Sequence, residues 1–328
     1  MKKLSVLITT YQCEEYVEQT LDSVLMQEID FEMEILVGDD GSSDRTAEIV
    51  SAYEKKHPEI SLFVRERDPE VAYHRVERSS DNRLELLERA SGEYCIFLDG
   101  DDFYTDPNKL RRQVNALDKH PECSMCAHNV WLYYSEENKT PLCRAKKERV
   151  ISFPEYWKIM YIQANAVMFR NLYREHTPKG ALRGMFDDNN IVFWLFQYGK
   201  MYYLPDILLA YRQSPASSWN GIDELKKAAS NILGYAIELQ ISPDTAAVSE
   251  TRHYPEILTM RQQSENVTME NLGAFYDMAV KLDLQPALAF FEHTASAKKE
   301  LDDLCRRAGR RYRMARIGRG IRKILGQY

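Results

Sequence analysis

A chain of 328 residues that is 44% hydrophobic and 28% charged is composed like a folded globular protein, which excludes the disordered and fibrous classes. No segment approaches the roughly 20 apolar residues of a membrane span, and Met1-Lys2-Lys3 runs straight into a strand-like stretch, so a cytoplasmic location is expected. The net charge of −7 hides an asymmetry: residues 305–328 hold nine Lys or Arg and no acid, leaving 34 basic against 50 acidic side chains, a net of −16, in residues 1–304.

Short apolar runs alternate with helical patterns over the first hundred residues, as in a parallel α/β sheet. Residues 4–9 (LSVLIT) give the first strand. Residues 14–26 give a helix with Val17, Leu21, Val24 and Leu25 on one face. A second strand starts at 34–37 and ends in Gly38-Asp39-Asp40-Gly41. A helix follows over 46–56, with Asp44 near its start and His57-Pro58 at its end. Residues 60–64 are a third strand, 84–90 a short helix stopped by Gly92, and 94–98 a buried fourth strand. Residues 124–134 read as a further buried strand. Beyond residue 220 strand patterns cease, and helical patterns occupy 225–240, 271–282, 287–293 and 297–307. The expected organisation is an α/β domain over 1–220, a helical appendage over 221–304 and a basic tail over 305–328.

In open α/β sheets ligands bind beyond the carboxyl ends of the strands. Three strands here end in polar groups: Thr9-Thr10-Tyr11, Asp39-Asp40 and Asp99-Gly100-Asp101-Asp102. No glycine-rich phosphate cradle follows the first strand. Crowded carboxylates repel one another unless a positive group sits among them. An acidic rim can meet a diphosphate only through a divalent cation, and hard oxygen ligands suit Mg or Mn. Taken alone, D-x-D is equally a polar turn capping the helix near Lys109.

The ordered set VLITTYQCEEYVEQTLDSVLMQ, ILVGDDGSSDRT, ASGEYCIFLDGDDF, FDDNNIVFWLFQYGK and LLAYRQSPASSW resembles the family 2 glycosyltransferases, over about residues 4–220. The resemblance implies a GT-A-type nucleotide-binding mixed sheet flanked by helices, an inverting mechanism, a nucleotide-sugar donor and a divalent metal, Mn or Mg. It implies that Thr9 and Tyr11 hold the nucleotide and that Asp40 contacts the base. Such roles are chemically apt, since a carboxylate accepts from a uracil N–H and a tyrosine ring can cover the base. By the same resemblance Asp101 is the direct metal ligand, Asp99 lies nearer the ribose, and Asp102 supports them. Asn82 matches an asparagine that helps orient the nucleotide-sugar, with a helix N-cap for residue 84 onward as its alternative.

Asp188, eleven residues before Gly199, aligns with the family's catalytic base at a helix start. Its chemistry requires a carboxylate that takes the proton of an acceptor hydroxyl as that oxygen attacks the anomeric carbon. Capping of the helix by Asp187 or Asp188 is compatible with that role. The family segment Y-R-x-H departs here, because Tyr211-Arg212-Gln213 is followed by Ser214. Lack of a Q-x-x-R-W string favours addition of one sugar per encounter. The implied acceptor is a glycan or a lipid-linked glycan.

Several features stand outside this site. Six cysteines lie mostly in apolar segments and are expected as reduced thiols. His120, Cys123, Cys126 and His128 have zinc-like types, but strand alternation separates Cys123 from the others. Met314, Ile317, Ile321, Ile324 and Leu325 fall on one side of a helix among arginines, a pattern suited to an anionic membrane surface, with docking on the acidic body as the alternative. Nucleic acid is not expected as a partner. Two other functions compete: a phosphohydrolase with Asp99 as nucleophile, and a non-catalytic nucleotide-binding protein.

Overall fold

A computed structural model describes residues 2–68, 75–159, 162–213, 221–292 and 295–324. In chain order the first elements are β1 (Leu4–Thr10), α1 (Val17–Leu25), β2 (Met33–Asp39), α2 (Thr46–Glu54), β3 (Ile60–Val64), α3 (Arg75–Arg89), β4 (Tyr94–Asp99) and β5 (Phe103–Tyr104). Next come α4 (Lys109–Lys119), β6 (Cys123–Tyr133), β7 (Lys139–Pro141), β8 (Arg149–Ile151), α5 (Phe153–Ile159), β9 (Val167–Arg170), α6 (Gly180–Gly184), α7 (Asp188–Phe196) and β10 (Lys200–Arg212). Helices follow: α8 (Glu224–Ile241), α9 (Ala246–Arg252), α10 (Tyr254–Gln262), α11 (Met269–Leu272), α12 (Ala274–Lys281), α13 (Gln285–Phe291) and α14 (Ala295–Ile324).

The strands form one mixed sheet in the order β3-β2-β1-β4-β9-β6-β10-β5, with β7 on β6 and β8 on β10. Strands β3, β2, β1 and β4 are parallel neighbours, as the alternating sequence predicts, and β9 introduces the first antiparallel pairing. Strand β1 lies between two partners and is buried along its length except at Thr9, so its apolar run is continuous. This is the mixed α/β fold expected, with helices packed on the sheet and a helical C-terminal region.

Two compact units divide the chain. The first, Met1–Lys179 with Phe186–Gln213, contains the whole sheet. The second, Gly180–Met185 with Ser214–Tyr328, has no strand among its described residues. Its core gathers Ile232, Leu233, Ile237, Ile257, Met260 and Phe290, and a buried Glu238–His253 hydrogen bond of 3.0 Å ties α8 to the start of α10.

Three differences from the sequence expectation have physical causes. Helix α3 begins at Arg75, not at residue 84, because its first turns bury polar side chains: Arg78, Ser80, Asn82 and Arg83 are all under 10% exposed. Helices α9 and α10 fill a stretch that reads as polar linker, with Pro255 in the first turn of α10, where a missing N–H costs nothing. The basic tail is not a separate object: α14 is continuous from Ala295. Cys305 and Ala308 are buried, Arg307 and Arg311 pair with Glu250, and the Tyr312 ring meets that of Tyr254 at 5.1 Å.

Candidate active site

The parallel register puts the polar strand ends side by side. Thr9 pairs with Gly38 on one flank and with Asp99 on the other, and Thr10 pairs with Asp39. Asp39 is fully buried and builds the turn after β2, accepting from Thr10 Oγ1 at 2.9 Å and from the Ser42 backbone N–H and hydroxyl at 2.8 and 2.6 Å. Gly41 allows that turn, since its φ of +73° is one an L side chain rarely adopts. The turn delivers Asp40 to the rim inside a cluster of arginines. Arg65 Nη1 and Arg78 Nη2 lie 3.1 and 2.5 Å from its Oδ1, and Arg67 Nη2 lies 2.5 Å from its Oδ2. The Arg67 guanidinium also covers the Tyr11 ring, 3.9 Å from its centroid.

The acidic cluster after β4 divides its work. Asp102, 1% exposed, accepts the Arg212 backbone N–H on Oδ1 at 2.8 Å and Asn165 Nδ2 on Oδ2 at 2.6 Å, so it is committed to the chain. Burial and the neighbouring carboxylates raise it while these donors act in the opposite sense. Asp99 accepts from Thr9 Oγ1 at 2.9 Å and from Asn165 Nδ2 at 3.0 Å. No side chain among the described residues donates to Asp101, and burial, then the Asp99 charge, pushes its carboxyl up to about 6. Arg212 is held by the Asp101 carbonyl, Gln19 and the rings of Tyr16, Phe103 and Tyr133.

The second acidic segment comes to the same place. Asp187 is the N-cap of α7, accepting the Asn190 N–H at 3.0 Å, and burial pushes it up to about 6. Asp188 is therefore the first residue of the helix. Between Asp188 and the end of β4 stands Arg83, its Nη2 at 3.0 Å from Asp188 Oδ1 and 3.5 Å from Asp99 Oδ1. The Tyr211 phenol is raised by burial and next by the Asp188 charge, with Asp102, Asp99 and Asp101 also contributing.

Thr9, Asp99, Asp101 and Asp188 are thus brought together, and Tyr11 and Asp40 sit side by side at the adjoining end of the rim. Asn82 donates to the carbonyl of Gly38, the register partner of Thr9, at 2.8 Å. It lies mid-way along α3, 3% exposed, which corrects the N-cap alternative, and its amide nitrogen is occupied in packing α3 on β2. Ser214, which stands where the family pattern has histidine, lies outside the described residues, as do the side chains of Ile317, Ile321, Ile324 and Leu325. Arg83, Arg78 and Asn165 escaped the sequence reading. Their only signal is polarity inside segments that must pack, and it is visible once α3 is known to run from Arg75.

A divalent ion fits this donor set. Five carboxylates, Asp99, Asp101, Asp102, Asp187 and Asp188, face two guanidiniums, Arg83 and Arg212, and all the acidic donors are hard oxygens. Asn165 Oδ1 and Arg83 Nε are buried there without hydrogen-bond partners among the described residues. Among the described residues no three His, Cys, Asp or Glu side chains converge as a complete cage, so the chain would supply one or two ligands and leave the rest to phosphate and water, as Mg sites commonly do.

A mixed sheet with an acidic rim at its strand ends and a second carboxylate at a helix start is the arrangement that the sequence resemblance implies. Residues 5–177 match the family model described as Glycosyl transferase family 2, and the chain belongs to that family. It is 32% identical over 168 residues to an uncharacterized protein of Mycobacterium tuberculosis, covering 51% of this chain and 46% of that one. It is 31% identical over 121 residues to the poly(ribitol-phosphate) beta-N-acetylglucosaminyltransferase TarS of Staphylococcus aureus, covering 37% of this chain and 20% of that one. The chain thus spans about half or less of the length of these relatives. Among solved structures, S. aureus TarS 1–349 in complex with UDP aligns with a TM-score of 0.60 at 18% identity, covering 99% of this chain and 92% of that one. A mannosyltransferase of Pyrobaculum calidifontis in complex with GDP-Man and Mn2+ aligns with a TM-score of 0.50 at 16% identity, covering 100% and 88%. At these identities the structural likeness shows the fold. Family membership sets the phosphohydrolase alternative aside, and among the described residues no helix is long and apolar enough to cross a membrane.

Proposed function

We propose that this protein moves one sugar from a UDP-linked donor to a hydroxyl of a glycan or lipid-linked acceptor, with inversion at the anomeric carbon. The observation that carries the reading is the Arg83 guanidinium lying between Asp99 and Asp188, since it brings the donor aspartate and the acceptor base into one site. Asp188 takes the proton of the acceptor hydroxyl as its oxygen attacks from the face opposite the nucleotide. Asp40 and Tyr11 receive the base and Thr9 and Asp99 the ribose side. Asp101, with Asp99, would hold a Mn or Mg ion, which when bound supplies positive charge to the departing diphosphate. The TarS structures that contain UDP and UDP-GlcNAc favour a UDP-linked donor, and the poly(ribitol-phosphate) in its name favours a polymeric glycan acceptor. A lipid-linked acceptor would be reached at an anionic membrane surface through α14, whose Arg310, Arg313 and Arg316 are exposed.

The test is a panel of nucleotide-sugars assayed for nucleotide release with Mn, with Mg and with chelator, using the parent and Asp188→Asn. Release should need the ion and fall by about 10²–10⁴-fold in the variant. A variant as fast as the parent removes Asp188 as base. Nucleotide binding without turnover on any donor would instead support the non-catalytic reading.

A further inference from the structure

We infer that the packing of helix α4 on strand β6 is a pH-sensitive latch, closed while Lys109 and His128 both stand unprotonated and loosened when either takes up a proton. The inference is independent of the transfer chemistry. Lys109 is 0% exposed, the one buried lysine among the described residues. Its Nζ donates to Gln113 Oε1 at 2.8 Å and lies 3.9 Å from the centre of the Tyr104 ring. Gln113 is itself pinned, because its Nε2 donates to the Cys126 and Ala166 carbonyls at 2.9 and 3.0 Å. His128 is 1% exposed, with Nδ1 2.7 Å from the Asn129 carbonyl and Nε2 buried without a hydrogen-bond partner among the described residues. A carbonyl only accepts, so Nδ1 carries the ring hydrogen and Nε2 is a bare lone pair.

Nothing at this interface welcomes a positive charge. Among the described residues no carboxylate pairs with either base. The groups that face them are Arg112 of α4, Cys126 of β6 and Tyr104 of β5, with Cys123 and Glu148 next to Cys126. Arg112 is already paired with Asp206 of β10 at 2.5 Å, Glu148 accepts from the Tyr202 hydroxyl at 2.9 Å, and Arg170 of β9 is spent on the Cys123 and Leu117 carbonyls. Burial raises both thiols and the Tyr104 phenol, so they stay neutral. Lys109 is also the first residue of α4, where the helix backbone presents its own positive end. An ammonium there would have one amide oxygen and one ring face to set against its lost hydration. Burial accordingly holds the Lys109 amine well below its ordinary range, and burial, then the Lys109 charge, holds His128 below its own. A proton on His128 would place an N–H at Nε2 with no acceptor to receive it. Helix α4 packs on β6 through these side chains, so either proton works against that contact.

Both bases hold a proton less well in the fold than in the unfolded chain, so stability is full above an unfolded lysine value of about 10.4 and declines as pH falls below it. Each proton that only the unfolded chain binds raises the unfolding constant about tenfold per pH unit, one from Lys109 and a second from His128 below about pH 6.5. The experiment is denaturant unfolding of the full chain from pH 5 to pH 9 for the parent, Lys109→Met and His128→Phe. Lys109→Met should be at least as stable as the parent at pH 7, and between pH 7 and 9 its unfolding constant should change about tenfold less per pH unit. His128→Phe should lack the additional steepening below about pH 6.5. A second reading needs no variant: with the lysines labelled at Cε with carbon-13, one resonance of the parent should hold the neutral-amine shift at pH 8 while the exposed lysines are charged. Should Lys109→Met fail to fold, the labelled parent decides. Curves parallel to the parent's in either variant, or lysines that all titrate near 10, overturn the latch and make Lys109 an ammonium held on the Tyr104 ring.

Discussion

Arg67 occupies the space where the proposed function puts the nucleobase, and this leads to a prediction of unusual sign. Its Nη2 lies 2.5 Å from Asp40 Oδ2, its Nε donates to the Asp40 carbonyl at 2.6 Å, and its guanidinium stacks 3.9 Å from the centre of the Tyr11 ring. A planar group that donates to an aspartate and lies over a tyrosine takes the two places a uracil would take, its N3–H on the carboxylate and its ring on the phenol. If the base uses Asp40 and Tyr11, it must first displace Arg67. The side chain is 28% exposed, so its ion pair contributes only about 0.5–1 kcal/mol and its stacking about as much again. Removing it should thus improve nucleotide binding by about 1–2 kcal/mol, a factor of roughly 5–30. Asp40 keeps Arg65 and Arg78 in the variant, so the turn should hold. The assay is calorimetric titration of UDP into the parent and into Arg67→Met under one buffer and salt. Weaker binding in the variant would refute the reasoning, because it would make Arg67 a contact on the outer face of the base instead of its competitor.

Other consequences are simpler. A methyl group on Gly38 would fall on Asn82 Oδ1 and press on Leu86, so Gly38→Ala should cost about 1–3 kcal/mol in denaturant unfolding, and markedly less when Asn82 is also alanine; equal costs in both backgrounds would contradict that contact. Burial raises the Glu238 carboxyl, but His253 and then Arg252 more than offset it, leaving it below its ordinary value. The stability it contributes is therefore present above an unfolded-state pKa of about 4.3 and lost as pH falls through the folded value. The unfolding temperature should drop below about pH 4 in the parent and less steeply in Glu238→Gln, and parallel curves would speak against the pair. Reversing Arg310, Arg313 and Arg316 to glutamate should lower affinity for anionic vesicles by about 100-fold or more, at about 1 kcal/mol per charge removed, and vesicle sedimentation that does not change would dissociate α14 from any membrane role.

The legible part of the fold was the part whose side chains obey a simple period. Strands β1, β2 and β4 are buried on both faces and read as unbroken apolar runs, and their polar ends mark the rim. The start of α7 was legible for a different reason: an aspartate that caps a helix announces its first turn, and here it also fixes where Asp188 stands. The first turns of α3 were not legible, since Arg78, Asn82 and Arg83 are polar residues pointing inward, against the pattern by which a helix is recognised. Asn165, in the short turn before β9, gives even less warning, because one asparagine among small residues says nothing about the two carboxylates it joins. The buried faces of α9 and α10 depend on α8 and α14 for their partners, which no local period could reveal.

The missed residues change how the acidic rim is understood. Read from sequence, three carboxylates after one strand demand a positive partner, and a metal ion is the obvious one. The fold supplies part of the answer itself. Asp102 is spent on the Arg212 backbone and Asn165, Asp187 on the first turn of α7, and Asp99 and Asp188 share Arg83. Asp101 is the carboxylate left without a side-chain donor among the described residues. Asp101, even with Asp99 beside it, binds a hard divalent ion weakly, and phosphate oxygens would have to complete the coordination. It follows that ion and donor should bind together, each raising the affinity of the other, instead of the ion resting in a preformed cage. By pairing with Asp99 and Asp188, Arg83 lowers the negative charge a diphosphate must approach.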